Sequence, residues 1–292
     1  MSATQVEARP FPALTPEQRL YLDINGYVII RNVLSDNEIQ TLLETIYEIE
    51  KAYRDSGQLP GSNCHLSSDR ADYFRIDNLP HLADSFFRYL THPYIVGLAE
   101  EIVGGTVRLE QSDAHIRRPL EGRKQKDPPG YGFHRGINPG FSHTGNGLYH
   151  FSFVKALTNL TDLGPDDGGT TVIAGTHKIS QEVDEEEIVN AAMRDPRMIH
   201  HVEAPPGSVL LFFESLIHAA GIIESDRDRV LILGGYTPTM FQAWNGYEAD
   251  LDFAATVSKG QRSLLTGGDK YEWHRKAREL GSPAESVERE LS

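Results

Sequence analysis

The chain has 292 residues, enough to bury a large core in one or two domains. A hydrophobic fraction of 39% and a charged fraction of 24% are those of an ordinary globular protein, not of a disordered or fibrous chain. The formal net charge of −14 argues against nucleic acid or an anionic membrane as the main partner, because both reward clustered Lys and Arg.

Cys64 is the single cysteine, so no intramolecular disulfide is expected. Residues 1–10 are polar and lack the apolar stretch of a signal peptide. No apolar run approaches the roughly 20 residues of a spanning helix. These features point to a cytoplasmic protein that acts away from membranes.

Residues 1–14 read as a loose arm. Thr15 before Pro16 marks a helix start, and Gly26 its end. Tyr27-Val-Ile-Ile30 is β-branched and aromatic, hence a strand. Ser35 with Glu38 three positions on is a capping-box pattern. Ile39, Leu42, Leu43, Ile46 and Ile49 then recur at helical spacing, which predicts an amphipathic helix to about Arg54. Residues 57–78 have little periodicity and read as a long loop over a site. Helical spacing returns over 82–103 and breaks at His92-Pro93, which predicts two helices ended by Gly104-Gly105.

From Thr106 the texture changes to short strands separated by Gly, Pro and Asp. We expect strands near 106–116, 148–159, 170–174, 198–203, 208–213 and 229–237, the pattern of a β-sandwich or barrel. An acidic helical insertion is expected near 182–193. Residues 241–292 read as a tail with a polar helix near 270–280. The chain is thus read as one domain, 1–292: arm and packing helices over 1–105, a β core over 106–240, and the tail.

Two histidines stand out. His134 lies in Tyr131-Gly-Phe-His-Arg-Gly-Ile137, and His218 closes Phe212-Phe-Glu-Ser-Leu-Ile-His218; Arg229 follows eleven positions later. Neutral imidazole suits iron, and a site with two histidines and one carboxylate leaves coordination positions open for substrate and oxygen. Taken alone each histidine is weak, since the chain has 12 and most histidines are surface or core groups.

Several ordered motifs strengthen the case. Leu14-Thr-Pro-Glu-Gln with Asn25-Gly-Tyr-Val-Ile-Ile30, Asp167-Gly-Gly-Thr-Thr-Val-Ile-Ala-Gly-Thr-His-Lys178, and Gly207-Ser-Val-Leu-Leu-Phe-Phe213 followed by His218 and Arg229 resemble the phytanoyl-CoA dioxygenase family. The resemblance covers roughly residues 15–245; Ala174 and Ser208 depart from the family's usual Pro and Asp. It implies a mainly β fold with flanking α-helices, built on a double-stranded β-helix (jelly-roll, cupin-like) core of about eight strands. It further implies an iron(II)- and 2-oxoglutarate-dependent oxidoreductase that consumes dioxygen. His134 and His218 become iron ligands, and Arg229 holds the distal carboxylate of 2-oxoglutarate through matched guanidinium–carboxylate geometry.

The family's carboxylate falls on Gly136, where the pattern breaks. The first reading, and the expected one, makes Gly136 an opening for chloride at the iron, as in related halogenases, and so chlorination of an unactivated C–H bond of a small molecule. In the second, a carboxylate such as Glu214 or Asp113 reaches the metal and the enzyme hydroxylates. In the third, the protein binds without catalysis.

Ser152, Lys155 and Thr170 are further candidates for holding 2-oxoglutarate. His177, His143 and His150 are rivals with a structural alternative, and Gly168-Gly169 serve the backbone. Arg135 is a candidate anion contact. Tyr131, Phe133, Phe141, Tyr149 and Trp244 either line a substrate cleft or pack. The substrate is expected to be a small molecule, free, coenzyme A-linked or carrier-tethered, and a basic run at Arg123-Lys-Gln-Lys126 reads as solvated loop. No phosphate-binding G-x-x-x-x-G-K-[ST] or hydrolase G-x-S-x-G motif is present.

Overall fold

The computed structural model describes residues 13–61, 63–119, 132–145, 147–180, 182–268 and 271. The chain opens with helix α1 (Pro16–Asn25), strand β1 (Tyr27–Ile30) and helix α2 (Asp36–Ser56). Both helices begin in reciprocal capping boxes, Thr15 with Gln18 and Ser35 with Glu38. These satisfy backbone N–H groups that a helix start otherwise leaves open. Gly26 ends α1 at φ 84°, a left-handed turn that needs glycine. Helix α2 buries Ile39, Leu42, Ile46 and Ile49, the stripe its spacing predicts.

Strands β2 (His65–Arg70) and β3 (Tyr73–Asp77) follow, then helices α3 (Asp84–Leu90) and α4 (Pro93–Val103), and the long strand β4 (Val107–Arg117). Next come β5 (Ser142–Gly145), β6 (Leu148–Phe151), β7 (Val154–Asn159) and β8 (Thr170–Ile173). Helix α5 (Glu185–Arg194) is the acidic insertion. The remaining elements are β9 (Ile199–His201), β10 (Val209–Phe213), β11 (His218–Ala220), β12 (Arg229–Pro238), α6 (Leu251–Thr256) and α7 (Lys259–Thr266).

Seven strands form one sheet in the order β1-β10-β7-β12-β4-β3-β2, antiparallel at every pair. A three-stranded sheet, β11-β8-β9, faces it, and His134 extends this sheet by a bridge to His218. This is the expected jelly roll. Successive side chains on a strand point to opposite faces, and that alternation divides the labour. Ala114, Ile116, Val154, Ala156, Val209, Leu211, Val230 and Ile232 join the core that packs against the helices. Helix α4 lies across β7, β12 and β4, with Ile95, Leu98, Ala99 and Ile102 fully buried. The intervening positions, including Asp113, His115, Lys155, Leu157, Arg229 and Leu231, face the space between the sheets.

Four expectations need correction. Residues 57–78 do not form a loop throughout: β2 and β3 make a hairpin that extends the main sheet at its edge. The strand expected over 148–159 is two, because β6 pairs with β5 while β7 enters the main sheet. The expected set also omitted β5 and β11. The tail is ordered beyond the last strand, where α7 docks on β4 through Arg108, which donates to the Leu265 and Thr266 carbonyls at 3.0 Å each. Residues 1–12, Arg123, Lys124, Lys126, Tyr131 and nearly all of the helix expected near 270–280 lie outside the described residues.

Candidate functional site

Between the two sheets lies a cavity of about 350 Å³, lined by His134, His218, Glu214, Arg229, Lys155 and Asp113 among others. The backbone brings the two histidines together. His134 and His218 exchange both N–H···O bonds, each 2.9 Å, and their ring centroids stand 4.5 Å apart. In each ring Nδ1 lies against a backbone carbonyl, Gly132 O at 3.1 Å for His134 and Leu216 O at 2.8 Å for His218. A carbonyl only accepts, so both Nδ1 atoms carry a proton, and in the neutral imidazole Nε2 is then the atom with the lone pair. That is the tautomer a metal ligand needs. Burial lowers the His218 imidazole to about 4, which keeps it neutral in the physiological range.

Arg229 is the first residue of β12 and is almost completely buried. Its guanidinium donates to Gly168 O at 2.7 Å, Thr170 Oγ1 at 2.9 Å and Asn159 Oδ1 at 3.3 Å. None of these partners is an acid. Burial, with Arg117 nearby, lowers the group to about 9. An uncompensated buried charge costs on the order of several kcal/mol, so this guanidinium calls for an anion from outside the chain. Thr170, expected near the co-substrate, holds Arg229 in place. Ser152 is elsewhere: it sits between β6 and β7, its N–H donating to Phe141 O at 3.0 Å, and it does not line the cavity.

The acids are arranged in two groups. Asp113 accepts from Tyr247 Oη and Gln111 Nε2, each at 2.7 Å, and pairs with Arg75 at 3.1 Å. Burial raises its carboxyl to about 7 despite Arg75. These bonds commit Asp113 to the β3–β4 wall. Glu214 is buried beside Gly136 and 4.0 Å from Lys155 Nζ, and its Oε2 has no hydrogen-bond partner. Burial raises it to about 7, against the downward pull of Lys155. Lys155 is itself gripped by Glu110 and donates to Gln111 Oε1 at 2.5 Å. The Glu110 partner and the Arg75–Asp77–Asp113 cluster were not anticipated: alternation along β3 and β4 puts Arg75, Asp77 and Asp113 on one face, but Glu110 joins them only through the register shift opposite Gly235 and Tyr236. Among the described residues, no three His, Cys, Asp or Glu side chains are close enough together to hold a metal as they now point.

Other candidates resolve away from the cavity. His177 donates to or accepts nothing at Nδ1, lies stacked on Phe213 and contacts Asp23 O at 3.2 Å, a structural position between α1 and the sheet. His143 and His150 stack on each other with centroids 5.0 Å apart, against Gly104. Arg135 pairs with Glu185 at 2.9 Å and so anchors α5. Phe133 packs beside the α5 cluster, Tyr149 lies edge-on to Phe213, and Phe141 edge-on to Phe153. Lys155 Nζ lies over the Trp244 ring, 6.0 Å from its centroid. Gly169 lies where a Cβ would meet Val202 O at 2.1 Å, so it serves close backbone approach.

No helix among the described residues is long and apolar enough to cross a membrane. The fold resembles HygX from Streptomyces hygroscopicus, solved with nickel and 2-oxoglutarate bound: TM-score 0.62, 21% identity, 80% of this chain and 90% of that one. It also resembles the non-haem α-ketoglutarate-dependent carbocyclase SnoK of nogalamycin biosynthesis, with TM-score 0.58, 18% identity, and 78% and 87% of the two chains covered. The peroxisomal phytanoyl-CoA dioxygenase of Mus musculus is 26% identical over 179 residues, 56% of this chain; the match spans about half of that relative, 48%. The model of the phytanoyl-CoA dioxygenase family matches residues 22–231, and the chain belongs to that family of iron- and 2-oxoglutarate-dependent oxygenases.

Proposed function

We propose that this protein oxidises a C–H bond of a small organic molecule with iron(II), 2-oxoglutarate and dioxygen. His134 and His218 hold the iron through their Nε2 atoms, and Arg229 grips the distal carboxylate of 2-oxoglutarate. The bound metal and 2-oxoglutarate supply the dioxygen-activating chemistry. The residues around them do the rest. Gly132 O and Leu216 O fix the imidazole tautomers, and Thr170, Gly168 and Asn159 aim the guanidinium. Leu157, Leu231, Leu233 and Phe212, all on the main sheet, give the cavity one apolar wall that limits water around the reacting carbon.

The observation that carries this reading is Arg229, a buried cation without an acid, facing the same cavity as two histidines with free Nε2 lone pairs. HygX has also been solved with hygromycin B bound, and a small-molecule substrate is proposed here in the same sense. Gly136 alone favours chlorination, which needs an open anion position beside the iron. The space next to Gly136 holds the Glu214 carboxylate instead, which favours oxygenation.

Arg229→Ala tests the reading. Charge-assisted hydrogen bonds are worth about 1.5–3 kcal/mol, so 2-oxoglutarate affinity, measured by calorimetry with manganese(II) present, should fall by roughly tenfold to a hundredfold. Unchanged affinity in that variant would remove Arg229 from the site.

A further inference from the structure

Gly136 leaves a space, and Glu214 fills it. A Cβ built on Gly136 would stand 1.9 Å from Glu214 Oε1, 2.6 Å from its Cδ and 2.8 Å from its Cγ. No side chain fits at 136 while Glu214 lies there. Conversely, the Glu214 carboxyl group occupies the root of the space that a carboxylate side chain at 136 would use.

The backbone makes this juxtaposition firm. Gly136 N–H and Ile137 N–H both donate to Glu214 O, at 3.0 and 3.3 Å. The same two segments are joined again through the paired bonds of His134 and His218, 2.9 Å each. Residues 134–137 and 214–218 are therefore held in register at both ends. Both histidines and Glu214 line one cavity.

The side chain also lacks something. Glu214 is buried, and its Oε2 has no hydrogen-bond partner among the described residues. A buried acceptor left unsatisfied costs about 1–3 kcal/mol, and more when charged. Lys155 offers only a distant countercharge at 4.0 Å and is already committed to Glu110 and Gln111. Asp113 and Asp77 do not compete for the role, because both are bound to Arg75.

We propose that Glu214 supplies the protein carboxylate to the metal held by His134 and His218, in place of the side chain that residue 136 lacks. This rests on the metal site proposed above. The carboxylate comes from the segment of the second histidine instead of the first. It reaches the histidines by a change of side-chain rotamer, a step between staggered wells that moves no backbone. Glycine at 136 is then a steric requirement of Glu214 and not an opening for an external anion.

Cobalt(II), added anaerobically to the full-length chain, is the probe, read by its d–d absorption and by titrated affinity. Wild type should bind one equivalent. Glu214→Ala and the isosteric Glu214→Gln should each bind at least about tenfold more weakly with altered d–d bands. The double variant Gly136→Asp/Glu214→Ala should recover most of the affinity, because it returns a carboxylate to the segment of His134. Wild-type affinity and bands in both single Glu214 variants would overturn the assignment. His134→Ala separates the two layers: if it loses cobalt while the Glu214 variants keep it, the histidine site stands and Glu214 is not its ligand. If wild type takes up no cobalt, both proposals fall.

Discussion

Glu214 gives the site a proton-linked signature that its stability should report. Burial raises its carboxyl from the ordinary 4.5 to about 7, so between those values the fold keeps a proton that the unfolded chain has released. Its contribution is full at and below the ordinary value and is lost as pH rises towards about 7. His218 runs the other way: its imidazole is lowered to about 4, so its contribution is lost as pH falls from the ordinary 6.5 towards that value. The two overlap, and Glu214→Gln isolates the carboxylate. In the metal-free protein, the stability of this variant relative to wild type should grow from pH 4.5 to 7 and then level off. The gain amounts to roughly 3 kcal/mol at one pKa unit per 1.36 kcal/mol. Urea unfolding across that range measures it, and a difference that stays constant with pH would contradict the burial of a titrating Glu214. At this scale the candidates His134, His218 and Arg229, which line one cavity, could be picked out because they sit in recognisable local strings. The contact of Gly136 with Glu214 was not, since it depends on how a single bridge, His134 to His218, sets the register of distant segments.

At the scale of elements, the helices hold the sheet that holds the site. Tyr89 of α3 places its hydroxyl against Ala156 O at 3.0 Å, Thr158 Oγ1 at 3.0 Å and Ile232 O at 3.3 Å, so one group ties α3 to β7 and β12. Those strands carry Lys155 and Arg229 on their opposite face. Tyr89→Phe removes the donor and leaves the packing, so it should destabilise the protein by about 1 kcal/mol, read as a lower urea midpoint with the slope unchanged. A loss beyond about 3 kcal/mol would mean that the hydroxyl organises more than these bonds. Helices α1 and α2 were legible from their capping residues, α2 also from its apolar spacing, and α3 and α4 from apolar spacing broken at His92-Pro93 and ended by Gly104. The β2–β3 hairpin was not. Its strand His65-Leu-Ser-Ser-Asp-Arg70 has one large apolar residue and an exposed face, and its place is set by pairing with β3, not by its own pattern. Strands β5 and β11 are too short, at 4 and 3 residues, for alternation to register.

Over the whole molecule, charge is distributed against its own sum. The chain carries a net −14, yet the cavity wall includes Arg70, Arg75, Arg117, Arg229 and Lys155. Arg75 and Lys155 are matched by Asp77, Asp113 and Glu110, whereas Arg229 has no acidic partner among the described residues. A small dianion with one carboxylate on Arg229 fits that imbalance, and a large polyanion meets an acidic exterior. The jelly roll itself was legible from the run of short strands after Thr106, because a β core with turn chemistry between strands has few alternatives. The substrate was not, because loops shape its pocket and a loop sequence carries no periodic pattern to read. The most direct test of the site is anaerobic visible spectroscopy of the protein titrated with iron(II) and 2-oxoglutarate, followed by chloride. A charge-transfer band should appear only with both present, should be absent from His134→Ala and His218→Ala, and should be indifferent to chloride. A band that survives loss of either histidine, or no band in the wild-type protein, would contradict the account.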